Sequence, residues 1–237
     1  MIASLPFELS EEQIAQQYTE FRQSLIDWFP TRITELNRLY DFYEERIMLA
    51  PASGTEHYHN AFPGGYIDHV LRVVKFAELE LRVWTTLGFV VDNFTLEELR
   101  FAAVNHDLGK LGLPYEGGEV FIPNTSEWHF KMQGKIYESN PDTPYSKVQD
   151  MSLFLLQRFG IVCTHNEWYA IRIHDGVYDE ANKSYYINNS IGSKFRCDMP
   201  MILHEADVKA ARWEYERWAK LSGKFKFYRE QPIEVNK

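Results

Sequence analysis

Apolar residues recur at intervals of three and four along most of the chain, the spacing that gathers side chains on one face of an α-helix. Ile14, Tyr18, Phe21, Leu25 and the pair Trp28-Phe29 mark the first such face, and Ser10 followed by Glu11 and Glu12 gives it an N-terminus. Pro30 and Thr31 interrupt the stripe, and a second helix is predicted from Thr31 to about Leu49. Residues 50–66, APASGTEHYHNAFPGGY, have the Pro, Gly and His content of a loop. Val70, Val73, Val74, Ala77, Leu81 and Trp84 then predict a helix from Ile67 to about Leu87. Thr95 with Glu98 makes a capping box for the next helix, which runs into HDLGKLG at 106–112, and Thr164 with Glu167 repeats the device.

Further helices are predicted at 127–138, 148–159, 164–174 and 200–221. Gly and Pro break the pattern between 113 and 124, around the short apolar run EVFIP, which is expected to pair with KSYYIN (183–188) in a small two-stranded ribbon. No internal repeat, low-complexity tract or linker stands out. The expectation is an all-α fold, with a helical N-terminal extension over 1–50 packing on a helical domain over 51–237.

Composition narrows the picture. With 237 residues, 45% apolar and 15% aromatic, the chain can bury a sizeable core without a disulfide or metal as a folding staple. Cys163 and Cys197 are too distant for a CxxC site and read as reduced thiols of a cytoplasmic protein. The opening MIASLPFELSEEQ lacks a basic and then apolar leader, and no run approaches about 18 apolar residues, so neither a signal peptide nor a membrane span is expected. Lys and Arg number 25 against 34 Asp and Glu, a formal charge of −9 that repels duplex nucleic acid and favours a small substrate. The aromatic residues Phe21, Trp28, Phe29, Tyr40, Phe42 and Tyr43 face either their own core or a second copy in a homo-oligomer; such faces usually bury within one chain.

The candidate chemistry lies in histidines with company. His69, in GGYIDHVLRVV, borders a buried stripe, where its ring nitrogens need a partner, either a metal or a backbone carbonyl. His106 and Asp107 are adjacent, about 100° apart on a regular helix, so one cation takes both only at a helix end. Gly109 is placed for a C-cap that supplies that end, with Lys110 beyond it. Asp207 sits among Ile202, Leu203, Ala206 and Ala210, where a carboxylate is costly unless paired or bound to a cation. His204, three residues earlier on the same face, is a candidate to support it.

His69 in HVLRV, HDLGK at 106–110 and EAD at 205–207 resemble, in order and spacing, the H…HD…D signature of the HD-domain metal-dependent phosphohydrolases. The likeness spans roughly 62–221, and the wording around PNTSEWHFKMQGKIY resembles a subgroup common among bacteriophage proteins. It implies a helical bundle in which His69, His106, Asp107 and Asp207 bind a divalent cation, Mn²⁺, Fe²⁺, Co²⁺, Ni²⁺ or Zn²⁺ in preference to Mg²⁺. His129 and His174 fall where dinuclear relatives carry extra ligands, so one or two cations per chain are expected. His174 is followed by Asp175, where such relatives often carry a second histidine.

The implied activity is hydrolysis of a nucleotide phosphate ester, with Asp107, His129 and His174 as catalytic groups and Asp68, His129 or Asp175 as the base. Lys110 and Arg72 are the expected phosphate contacts, and His57 and His59 are candidates for the cleft mouth. Two other readings stay open: a phosphodiesterase or nuclease acting on cyclic nucleotides or RNA ends, and a non-catalytic metal-containing nucleotide-binding module.

Overall fold

Ser10 caps the first helix, α1 (Glu11–Trp28): its hydroxyl accepts from the Gln13 amide while the Gln13 side chain accepts from the Ser10 amide. The structure, a computed structural model, describes residues 7–187 and 197–223. The helix predicted over 31–49 is two, α2 (Ile33–Phe42) and α3 (Glu44–Leu49), broken at Tyr43. The reason is tertiary. Tyr40 and Tyr43 are fully buried, and their hydroxyls donate to Asn105 Oδ1 at 2.8 Å and to the Gly112 carbonyl at 2.7 Å. The N-terminal helices thus grip the chain on both sides of His106-Asp107.

Helix α4 (Gly65–Thr86) begins two residues earlier than the apolar pattern indicates. A Cβ on Gly65 would fall 2.1 Å from the Asn60 carbonyl oxygen, so only glycine lets the helix start so close to the preceding loop. Helix α5 (Leu96–Asn105) opens at the predicted Thr95–Glu98 box. It ends at His106 and passes into a 3₁₀ turn, Leu108–Leu111. Gly109 is not the left-handed cap expected of it. Gly112 ends the turn instead, at φ 80° and ψ −167°, and Gly109 is needed because a Cβ there would lie 2.2 Å from the Val148 carbonyl oxygen.

The ribbon forms with a different partner. Strand β1 (Phe121–Pro123) pairs antiparallel with β2 (Tyr137–Ser139), Ile122 opposite Glu138. A nearby segment closes a smaller loop than one sixty residues away. Helix α6 (Glu127–Gln133) lies between the strands and stops at Gly134, φ 65°, short of the predicted end at 138. Lys183–Tyr186, expected as strand, is instead a single helical turn, α9; Asn188 lies outside the described residues. Helices α7 (Val148–Arg158), α8 (His165–Ile173) and α10 (Met199–Ser222) follow the predicted spans closely.

Helix α10 lies along α4, α5 packs on α4 and α8, and α7 covers the 3₁₀ turn after α5. One apolar cluster joins Phe21 and Leu25 of α1 to Val70 and Val73 of α4, Leu99 of α5 and Leu203 of α10, so residues 11–49 share the main core. Among the described residues no helix is long and apolar enough to cross a membrane. Cys163 and Cys197 are both unpaired.

Candidate metal centre

Four helices deliver side chains to one point. His69 comes from the second turn of α4, His106 and Asp107 from the end of α5, His174 from the end of α8, and Asp207 from α10. The adjacent pair converges because α5 ends there: with the helix broken, His106 Nε2 and Asp107 Oδ2 come within 3.4 Å. Ser152 of α7 holds the turn, donating to the His106 carbonyl and accepting from the Gly109 amide.

The imidazoles are oriented alike. The Nδ1 atoms of His106 and His174 lie 2.8 Å from the carbonyl oxygens of Ala103 and Ile171, and His69 Nδ1 lies 3.1 Å from Glu214 Oε2. Carbonyl and carboxylate oxygens only accept, so each Nδ1 carries a proton and Nε2 is the atom left to meet a cation. His69 Nε2 faces Asp207 Oδ1 at 3.1 Å and Asp107 Oδ2 at 3.5 Å, and His106 Nε2 faces Asp207 Oδ1 at 3.8 Å. Both Nε2 atoms are buried without a hydrogen-bond partner. Lone pairs directed at carboxylate oxygens repel unless a positive charge lies between them.

Two groups of donors could hold a metal ion: His69, His106 and Asp207, and His106, Asp107 and His174. With metal–nitrogen bonds of about 2.1 Å, neighbouring ligand atoms of an octahedral shell are about 3.0 Å apart and opposite ones about 4.2 Å. The separations of 3.1–3.8 Å between these nitrogens and oxygens fit that range. Three imidazole nitrogens with carboxylate oxygens form a mixed donor set suited to a transition cation.

The same geometry perturbs the titrating groups. Burial disfavours the charged form of His69, but Glu214 and Asp207 outweigh it and push its pKa up to about 10, so the carboxylates draw a positive charge to its Nε2, either a second proton or a cation. Burial likewise opposes ionisation of Asp107, which Lys110 and His106 hold well below the usual carboxylate range. Asp207 is held low against burial by His69 and His106. Lys110 Nζ lies 2.5 Å from Asp107 Oδ2, and that contact raises its pKa despite burial. His59, its ring 4.9 Å from that of His69, is driven well down by burial and by Lys110, so it is neutral.

A cleft of about 540 Å³ opens beside the donors, lined by His59, Asp107, Lys110, His174, Asp175 and Asp207 among others. Lys110 and His59 therefore both line this cleft. Arg72, expected at the phosphate, instead bonds Asp68 at 2.6 Å and Glu214 at 3.2 Å and lies over Trp213, its charge spent inside the protein. His57 packs against Tyr58 and Trp218 rather than lining this cleft. His129, on α6 against Trp128, belongs to neither donor group. His204 supports a different residue from the one expected: its Nδ1 lies 2.7 Å from the His174 carbonyl, not beside Asp207.

Sequence reading missed Glu214. It lies seven residues after Asp207, two turns along the same face of α10, which is the available signal. It also missed a shared plan. Each of α5 and α8 starts at a Thr-x-x-Glu box and ends in a His-Asp pair whose histidine Nδ1 lies against the carbonyl three residues back. A one-residue difference in length hides this from a search for repeats.

The chain matches no family model, no curated protein and no solved structure.

Proposed function

We propose that this protein is a metal-dependent phosphohydrolase acting on a phosphate ester of a nucleotide, with His69, His106, Asp107 and Asp207 holding a divalent cation. The observation that carries the reading is the pair of buried, unpartnered Nε2 atoms of His69 and His106 facing carboxylate oxygens. The resemblance of the H…HD…D order to HD-domain phosphohydrolases supports it, as does the cleft beside the donors. The donor set favours Mn²⁺, Fe²⁺, Co²⁺, Ni²⁺ or Zn²⁺, and His174 with Asp107 offers ligands for a second ion.

When bound, such a cation brings the pKa of its water from about 15.7 toward about 7 and offsets charge on the phosphoryl group. The chain supplies the rest. Lys110, tethered to Asp107, donates to a phosphate oxygen entering the cleft. Asp175 lines the cleft and takes the proton as the water oxygen bonds phosphorus and the ester P–O bond breaks; the departing oxygen is protonated from solvent. Asp68 is committed to Arg72 and Arg217, and His129 stands outside both donor groups, so neither suits the role of base.

The test is elemental analysis of protein purified without chelator, followed by phosphate release from a nucleotide panel with each divalent cation. Retained cation with release from at least one monoester is the expected result. Diester cleavage without phosphate release would change the bond assigned. Tight nucleotide binding without turnover under any cation would make the protein a binding module. A folded protein that retains no cation would end the proposal.

A further inference from the structure

Tyr145 and Tyr178 are the two most exposed aromatic side chains among the described residues, at 91% and 80%, and both line the cleft that holds Asp107, His174 and Asp207. Side chains so exposed add almost nothing to the core, and leaving apolar ring faces in water has a cost. They come from separate segments, Tyr145 from the loop before α7 and Tyr178 from the 3₁₀ turn Gly176–Tyr178 after α8.

Those segments are pinned together beside the two rings. Lys147 Nζ bonds both carboxylate oxygens of Asp179 at 2.7 Å, and Gln149 donates to the same carboxylate at 3.1 Å. Lys147 is two residues from Tyr145, and Asp179 directly follows Tyr178. The Tyr178 ring is also steadied by His204, with centroids 6.3 Å apart. The backbone positions of both tyrosines are therefore set before any ligand arrives.

The charge of the cleft limits what else fits. The lining acids Asp107, Asp175, Asp179 and Asp207 outnumber the lining cations Lys110 and Lys147, with Arg172 4.0 Å from Asp179, so the cleft offers few positive groups to phosphate. That balance suits a single phosphate group better than a chain of three. Two exposed rings beside such a site suit a planar, uncharged aromatic group.

We propose that Tyr145 and Tyr178 form an aromatic clamp for the planar ring of a mononucleotide-type ester, with the Lys147–Asp179 pair as the strut that sets the clamp. This rests on the proposed function for the position of the phosphate. The clamp gives the substrate affinity through its ring and leaves hydrolysis to the metal centre.

The experiment is titration calorimetry with two probes that resist hydrolysis at a carbon–phosphorus bond: the 5′-phosphonate analogue of adenosine monophosphate and ring-free methylphosphonate. Both are titrated into Mn²⁺-loaded wild type and into the Tyr145→Ala, Tyr178→Ala, Tyr145→Phe and Tyr178→Phe variants. The ring-bearing probe is expected to bind at least tenfold tighter than the ring-free one. Each Ala variant is expected to weaken the ring-bearing probe about tenfold and leave methylphosphonate unchanged, with the Phe variants restoring affinity. Ala variants that bind the ring-bearing probe as wild type does, or that weaken both probes equally, would overturn the clamp. Metal content and phosphate release, measured separately on wild type, decide the proposed function: their loss with ring selectivity intact sinks that reading and spares the clamp.

Discussion

Glu214 Oε2 lies 3.1 Å from His69 Nδ1, and both side chains are sealed from solvent. The carboxylate fixes which ring nitrogen of His69 carries the proton and so directs Nε2 at Asp107 and Asp207. Arg72 balances the buried negative charge at 3.2 Å and passes the contact on to Asp68, which Arg217 and Asn60 also hold. A chain of charges on α4 and α10 thus aims one candidate ligand.

If Glu214 sets the basicity of His69, Glu214→Gln should keep the fold and lower cation affinity about 10- to 100-fold. Competition with a chromogenic chelator measures this, with circular dichroism as the control for folding. Unchanged affinity would reduce Glu214 to a structural partner of Arg72.

Asp107 is the carboxylate shared by the clustered imidazoles, 3.4 Å from His106 Nε2, 3.5 Å from His69 Nε2 and 3.8 Å from His174 Nε2. Asp107→Ala should abolish metal retention and activity while leaving a folded, helical protein. Elemental analysis beside a far-ultraviolet spectrum checks both halves. Full metal content in the variant would contradict the assignment.

Gly109 faces α7 with no room for a side chain: an added Cβ would meet the Val148 carbonyl oxygen at 2.2 Å and Met151 Cβ at 2.8 Å. Gly109→Ala should cost about 3 kcal/mol of stability, because two backbones must separate. Urea unfolding gives the number, and a loss within about 0.5 kcal/mol would show that the turn yields easily.

Glu98 joins the starts of the two helices that end in His-Asp pairs. It accepts from the Thr95 amide at 2.8 Å within its own capping box and from the Thr164 hydroxyl at 2.7 Å at the head of α8. Burial works against its charge, but these hydrogen bonds prevail and its pKa is lowered. A folded-state pKa below the unfolded one adds stability above the unfolded value, and that stability is lost as pH falls through the folded value. Wild type should therefore be more stable than Glu98→Gln near neutrality, with the gap closing below about pH 4.3. A gap that persisted at pH 3 would refute the linkage.

The sequence by itself determined most helices and singled out His106 and Asp107, because both signals are local, whereas His69 and Asp207 joined them only through the resemblance in order and spacing. Capping boxes at Thr95 and Thr164 and the apolar period of α4 act over a few residues, and a histidine beside an aspartate at a helix end stands out without knowledge of its neighbours. Tertiary structure alone decided the break at Tyr43, the pairing of β1 with β2, the turn of Arg72 toward Glu214 and the hold of His204 on His174. Each depends on which remote segment arrives alongside, and the pattern of apolar and polar positions carries no record of that. Tyr145 and Tyr178 lie 33 residues apart in the sequence, and the Lys147–Asp179 contact brings their segments to one cleft.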